Sequence, residues 1–184
     1  MFFRDSAMTG AILGLFTLVW FGWAQERPPA TWKARLVLGS VLGAVLAISG
    51  GVLAWRNWGT GSVLAGDGTL RMYLIIVGIE FAVTAAGIAA LQFTRKTDYQ
   101  APWTCLVVGV HFYPMAPVFR DVGLYALATV LTAVAVASIP IARRRRLAIS
   151  AVTGAAAGTT LLLFAAYSLI KLAMSFPLHS GHLT

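Results

Sequence analysis

The chain has 184 residues, of which 59% are hydrophobic and only 11% are charged, and its mean hydropathy is +0.80. Soluble domains carry roughly a quarter charged residues, so this composition excludes a soluble globular domain and equally a disordered chain. The single cysteine, Cys105, excludes an internal disulfide framework and a cysteine-rich metal site. The composition therefore predicts a protein that crosses a membrane several times.

Six apolar segments are long enough to be membrane spans, which need about 20 residues each as helices. Helices are expected because open sheet edges cannot face lipid, and the apolar runs lack the alternation of β-barrel strands. The sequence predicts an all-α fold, a polytopic membrane protein with one bundle of six transmembrane helices. The predicted spans are residues 6–24, 34–55, 72–93, 102–119, 122–142 and 148–176.

The first span has an alternative interpretation as a cleaved signal peptide. Gly22 and Ala24 suit a small-residue cleavage site, but the start MFFRD carries one charge of each sign and is a poor basic region. Removal of this span would leave the orientation of the other five unchanged.

The net charge of +8 is concentrated in the loops on one side of the predicted bundle. Because no basic domain exists outside the spans, we expect no nucleic-acid partner, and the charges indicate orientation in the bilayer. Nine basic residues fall on one side and four on the other, with Lys171 near the end of the last span. The nine-charge side is predicted to be cytoplasmic, with both termini outside. Its members are Arg27, Lys33, Arg35, Arg95, Lys96, Arg143, Arg144, Arg145 and Arg146.

The run from Arg143 to Arg146 is a juxtamembrane basic cluster. Such clusters attract anionic lipid head groups on the cytoplasmic side of a membrane. Fixing the topology of the fifth span would explain the same residues equally well.

Small residues recur every four positions on two spans, which predicts close helix packing. Packing within one chain is the preferred interpretation, and a homo-oligomer formed through these faces is the alternative. Shorter GxxxG patterns occur at Gly10 and Gly14 and at Gly154 and Gly158. The two longer stripes are Gly39, Gly43, Ala47 and Gly51 on the second span, and Gly78, Ala82, Ala86 and Ala90 on the third.

Glu80 is the clearest candidate for a functional residue, because it lies near the centre of the third span. A charged side chain at mid-bilayer costs about 2.5 to 3.5 kcal/mol and marks a functional site by default. Thr84 and Gly87 share its helix face, so that face is expected to point into the bundle.

His111, near the middle of the fourth span, is the predicted partner of Glu80. The third and fourth spans are antiparallel, and counting from their connecting turn places the two residues at depths that differ by roughly 6 Å. Long side chains can close that gap. Pairing favours the charged forms and desolvation the neutral ones, so we predict a proton-exchange group in the bundle core.

Pro114 and Tyr113 complete the predicted midplane site. Pro114 removes a backbone hydrogen bond and displaces the carbonyl of Val110, and Pro117 does the same for Tyr113. Broken helices at membrane depth often mark binding sites in transporters, although a packed proline kink is equally common. Tyr113 is expected to donate a hydrogen bond at this site.

Two further features near the span ends are expected to be less specific. Arg120 and Asp121 form a tight outer turn and are predicted to be solvated, to pair with each other or to gate an outer vestibule. Trp103 and other aromatic residues near predicted boundaries are expected to be interface anchors.

The segment GVHFYPMA resembles a His-Phe-x-Pro motif of small bacterial multi-pass membrane families. The resemblance covers the third to fifth spans. These families have no established activity, so the resemblance implies only that His111 and Pro114 belong to a patterned segment. We expect the chain to lie in the cytoplasmic membrane of a bacterium.

The sequence favours a small carrier or ligand-binding membrane protein, with a protonatable site at Glu80 and His111. The alternative is a structural or accessory subunit whose polar residues only lock helices together. An intramembrane enzyme is the least supported hypothesis: only Glu80 and His111 lie at depth, too few for a zinc hydrolase, and Ser49 lacks a GxSxG context. We expect neither a metal nor a cofactor.

Overall fold

The computed structural model describes residues 2–175, which form six α-helices without a strand in that range. Short 3-10 turns lie in the connections before α2, before α4 and between α2 and α3. The helices match the predicted spans to within a few residues, except that α3 begins five residues earlier, and position 176 lies outside the described range. They are α1 (Phe3–Ala24), α2 (Lys33–Arg56), α3 (Asp67–Phe93), α4 (Gln100–Phe119), α5 (Gly123–Arg145) and α6 (Ile149–Ser175).

Five of these helices are long and apolar enough to cross a membrane: α1, α2, α3, α5 and α6. The fourth, α4, has 20 residues and is not among these five. Both Pro114 and Pro117 lie inside α4, and the helix continues through them. The fourth helix is therefore continuous at Pro114, and each of the two prolines lacks the N–H that would donate a backbone hydrogen bond.

The helices follow one another around the bundle in the order α2, α1, α6, α5, α4, α3. The sixth helix also contacts α2 and α4, so it occupies the centre and has the most buried face. In contrast, α3 packs mainly on α4 and on the turn Val63–Ala65. The third helix is therefore at the edge of the bundle.

Contacts between the connections define two ends of the molecule. At the end that carries the nine basic residues, here called the basic end, Arg27 Nη2 lies 3.2 Å from Asp98 Oδ1, and Arg143 hydrogen-bonds to the Tyr99 hydroxyl. At the opposite end, the Val63 backbone N–H donates to Asp5 Oδ2 at 2.7 Å. The alternation of the six helices thus gathers the basic connections at one end.

Glycines bring α1 into backbone contact with its neighbours, as the packing prediction requires. A Cβ added to Gly14 would lie 2.6 Å from the Ala47 backbone nitrogen, and one on Gly50 would lie 2.7 Å from that of Ala11. The predicted stripe on α2 drifts by one position: Gly51 faces open space, and Gly50 takes its place. The helical period of 3.6 residues explains this drift away from a strict four-residue repeat.

The predicted packing of the small-residue stripe on α3 is wrong. Gly78, Ala82, Ala86 and Ala90 are all exposed, and a Cβ on Gly78 would meet nothing within 4 Å. The third helix instead turns toward α4 the face that carries Glu80. Energetics favours this choice, because a carboxyl group in apolar surroundings costs more when it has no polar partner than alanines do when they are left uncovered.

Candidate functional site

The site lies in the contact between α3 and α4, here called the α3–α4 seam. Residues three, four and seven apart share a helix face, so Ile76, Glu80, Thr84 and Gly87 form one edge of α3. These residues are partly or fully buried, whereas most of the rest of α3 is exposed. The seam is therefore the place where α3 buries its polar side chains.

Glu80 and His111 meet at the middle of the seam. His111 Nε2 lies 3.6 Å from Glu80 Oε2, and the two side chains are 13% and 17% exposed. The predicted contact between them is present, but at the edge of the bundle, because α3 has α4 as its main neighbour. The distance is within ion-pair range and leaves little room for a third group between them.

A hydrogen bond of the imidazole to the backbone determines which ring nitrogen carries a hydrogen. His111 Nδ1 lies 2.6 Å from the Val108 carbonyl oxygen. A carbonyl only accepts, so Nδ1 carries a hydrogen and donates it. Nε2 therefore faces the Glu80 carboxyl group, and one proton between these two groups allows two forms. Either a carboxylate faces an imidazolium, or a carboxylic acid faces a neutral imidazole.

Tyr113 does not join the pair. Its hydroxyl lies 3.1 Å from Thr129 Oγ1 on α5, its ring packs 6.4 Å from that of Tyr125, and it is 38% exposed. Two residues along a helix turn the side chain by about 200°, which places Tyr113 away from His111. The prediction that Tyr113 donates at the site is therefore wrong.

Pro114 lies one turn from His111 on α4. It lines a cleft at the end of the α3–α4 seam that is farther from the basic end. The cleft has a volume of about 690 Å³, within the range of ligand sites. Its lining is mostly apolar, with Met72 and Ile76 from α3 facing Pro114, Pro117 and Val118 from α4. The cleft stops about one helical turn short of Glu80 and His111, since Ile76 and Pro114 are its lining residues nearest to them in sequence.

Arg120 and Asp121 form the predicted tight turn, but the structure gives them separate roles. Arg120 ends α4 in the left-handed conformation, with φ 52°, and lines the cleft. The Asp121 carboxylate accepts a hydrogen bond of 2.9 Å from the Gly123 backbone N–H at the start of α5. Between residues 2 and 175 the structure has no ion pair between Arg120 and Asp121.

Trp103 is the seam residue that sequence reasoning misplaced. Its indole packs directly on α3, where a Cβ on Gly87 would lie 1.9 Å from Trp103 Nε1. An aromatic residue near a span boundary is also typical of an interface anchor, so the sequence signal was ambiguous. A sequence pattern that predicts this contact is a glycine on one helix at the same depth as a tryptophan on the next helix.

The basic cluster at the end of α5 is only partly free. Arg143 is bonded to the Tyr99 hydroxyl, and its guanidinium lies 5.8 Å from that ring. Arg144, Arg145 and Arg146 are exposed. These three side chains are the part of the cluster that is available to a charged surface.

Comparisons of the chain with protein families, with characterised proteins and with solved structures gave no match.

Proposed function

We propose that the chain is a multi-pass membrane protein in which all six helices cross the bilayer. Five helices support this by length and hydropathy. The fourth crosses as well, because α3, α5 and α6 cover it and its polar residues then face protein. The basic end lies in the cytoplasm by the positive-inside rule, with Arg144, Arg145 and Arg146 against anionic lipid head groups.

We further propose that this protein is a small carrier or ligand-binding protein with a proton-exchange site at Glu80 and His111. The observation that carries the proposal is the 3.6 Å approach of the two side chains within the seam. A carboxyl group and an imidazole that share one proton at membrane depth form the simplest unit that can accept and release a proton. The cleft one turn away gives a small ligand access to the same seam from outside.

Proton uptake into proteoliposomes tests this proposal. A pH-sensitive dye trapped inside the proteoliposomes reports proton entry, and a potassium gradient with valinomycin sets the membrane potential that drives it. The parent protein is expected to admit protons under these conditions. Glu80→Gln and His111→Gln are each expected to reduce the rate on the order of a hundredfold, the lower range for loss of a positioned acid or base. Equal rates in the parent and both variants would contradict the proposal.

Thr153→Val provides a matched control for loss of a buried polar contact. Thr153 Oγ1 donates to Ser138 Oγ at 2.8 Å between α6 and α5, away from the seam. This variant removes a helix-to-helix hydrogen bond without touching a proton-exchange group. Its proton uptake is expected to equal that of the parent.

The second candidate function is an accessory subunit in which Glu80 and His111 only hold α3 against α4. The close contact of Trp103 with Gly87 favours this alternative, because it shows part of the seam filled by protein. A locking role predicts that Glu80→Gln and His111→Gln lower stability, while the parent itself admits no protons. The same proteoliposomes therefore separate the two candidates.

A further inference from the structure

Three buried polar atoms without a partner lie on α4 between the basic end and His111. They are Gln100 Nε2, Trp103 Nε1 and Thr104 Oγ1, none of which has a hydrogen-bond partner in the described part of the chain. A buried polar group left unpaired is destabilising, so buried polar groups normally bond to protein or to ordered water. Three such atoms within five residues of α4 are polar groups that no described residue satisfies.

The helical period puts these atoms on the seam. Gln100, Thr104 and His111 lie within about 40° of one another around α4. Trp103 Nε1 belongs to the same contact, because the indole packs on Gly87 of α3. All three atoms therefore lie on the side of α4 that also holds the Glu80 carboxyl group.

Their spacing suits a line of water molecules. Thr84 lies one turn, about 6 Å, from Glu80 toward the basic end. Thr104, then Trp103 at Gly87, and then Gln100 continue in the same direction, and Gln100 is about 16 Å from the level of His111. Steps of about 5–6 Å between polar groups are spanned by one bridging water each.

In the described helices around these polar atoms, the other ionisable side chains lie away from this part of the α3–α4 seam. On α4, Cys105 and Tyr113 point to α5, where Cys105 Sγ lies 3.4 Å from the Leu131 carbonyl oxygen. Along their described lengths, α5 and α6 carry charged side chains only near their ends, at Arg143, Arg144, Arg145 and Lys171. On α3, no charged residue lies between Glu80 and the end of the helix.

We infer that a line of water molecules in the α3–α4 seam connects Glu80 and His111 to the basic end of the molecule. This inference rests on the proposed proton-exchange function, since it names the side from which the protons come. A proton passes from water at the basic end along the line to the pair, and each water is regenerated as it passes the proton on. The cleft then opens toward the other end of the molecule. Glu80 and His111 therefore lie between the line of water molecules on one side and the cleft for a ligand on the other.

Thr132 supplies a matched control for Thr104. Thr132 Oγ1 is also buried without a partner, but it lies at Gly109, where an added Cβ would be 2.8 Å from it. Gly109 is on the opposite side of α4 from Gln100 and Thr104. The two threonines therefore differ in position relative to the seam and not in chemical type.

Silver-ion reactivity of introduced cysteines tests for water in the seam without measuring transport. Thr104→Cys and Thr132→Cys are each made in a Cys105→Ala background, so that each protein has one thiol. The proteins are placed in vesicles with the basic end facing the added silver. After unfolding, alkylation counts the thiols that have not reacted with silver. Because a thiol reacts as the thiolate, which needs water, Thr104→Cys is expected to react at least about tenfold faster than Thr132→Cys. Equal rates would overturn the inference.

Proton uptake by the valine and leucine variants separates this inference from the proposed function. Thr104→Val and Gln100→Leu are each expected to slow proton uptake about tenfold, which corresponds to an increase of about 1.4 kcal/mol in the activation barrier. Thr132→Val is expected to leave the rate of proton uptake unchanged. If Glu80→Gln abolishes uptake but Thr104→Val matches Thr132→Val, the water line is wrong and the proposed function stands. If Thr104→Cys reacts with silver but Glu80→Gln has no effect, the proposed function is wrong and the water line stands.

Discussion

The contact of α1 with α2 and the contact of α3 with α4 join membrane-length helices by different means. Between α1 and α2, glycines bring backbone against backbone, with Gly14 facing Ala47 and Gly50 facing Ala11. Between α3 and α4, a carboxyl group meets an imidazole and an indole packs on Gly87. Backbones cannot move aside without moving the helix, whereas side chains can rotate, so the first contact is rigid and the second can change.

The two regions also differ in how much surface they share with the rest of the bundle. The first helix packs on both α2 and α6, and its buried face runs along its full length. The third helix packs mainly on α4, and Ile76 is its only fully buried residue. Glu80 thus lies on the helix that has the fewest neighbours, which is where motion costs least.

The largest expected effect is that of Gly14→Ala in the α1–α2 contact. The added methyl group would lie 2.6 Å from the Ala47 backbone nitrogen and 2.9 Å from the Gly43 carbonyl oxygen, and neither can rotate away. We expect the free energy of unfolding in detergent to fall by about 3 kcal/mol, the upper range for overpacking.

Gly51→Ala is the control for Gly14→Ala, since a Cβ at Gly51 meets nothing within 4 Å. Its free energy of unfolding is expected to match that of the parent or to exceed it slightly, because alanine favours the helix. A Gly14→Ala protein as stable as Gly51→Ala would break the contrast between the two regions.

Gly87→Ala probes the α3–α4 seam with the same substitution and is expected to have a smaller effect. The new methyl group would lie 1.9 Å from Trp103 Nε1, so the indole must rotate or α3 must move away. Because α3 has one main neighbour, it can withdraw, and we expect a loss of about 1 kcal/mol. Hydrogen exchange should speed up in α3 and stay unchanged in α1, α2 and α6; faster exchange throughout would mean that the seam is as rigid as the α1–α2 contact.

The smallest expected effect concerns the end of α3, where Arg95 has φ 56°. The left-handed conformation costs a residue with a Cβ about 1–2 kcal/mol, and glycine avoids that cost but has more entropy to lose on folding. Arg95→Gly is therefore expected to raise the free energy of unfolding by about 0.5 kcal/mol. Gln92→Gly, inside the last turn of α3, is the control and should lower the free energy of unfolding by up to about 1 kcal/mol. If both variants lowered the free energy of unfolding, the Arg95 side chain would be shown to stabilise this end of α3.

Helix positions and the meeting of Glu80 with His111 were predictable from the sequence. Apolar length gave the spans, and counting residues from the α3–α4 turn gave similar depths for the two side chains. The position of Tyr113 was predictable as well, because two residues along a helix place it on a different side from His111.

The rotation of α3 was harder to predict, since this helix has two competing faces. One carries the small residues from Gly78 to Ala90 and the other carries Glu80 and Thr84, and each pattern alone indicates a packed face. Only the number of neighbours decides between them, and that number depends on the order of all six helices around the bundle. The cleft was beyond prediction for the same reason, because Phe2, Ser62 and Val63 from distant segments help to line it.

The single main neighbour of α3 also sets the order in which the chain assembles. A hydrophobic helix can reside in the bilayer by itself before it docks, and a helix with little shared surface has the least to gain from docking early. We expect α1, α2 and α6 to associate first and α3 to join α4 last. The contact between Glu80 and His111 is then completed only by that final step. Under the proposed function, a protein in which α1, α2 and α6 are correctly packed can therefore still be inactive.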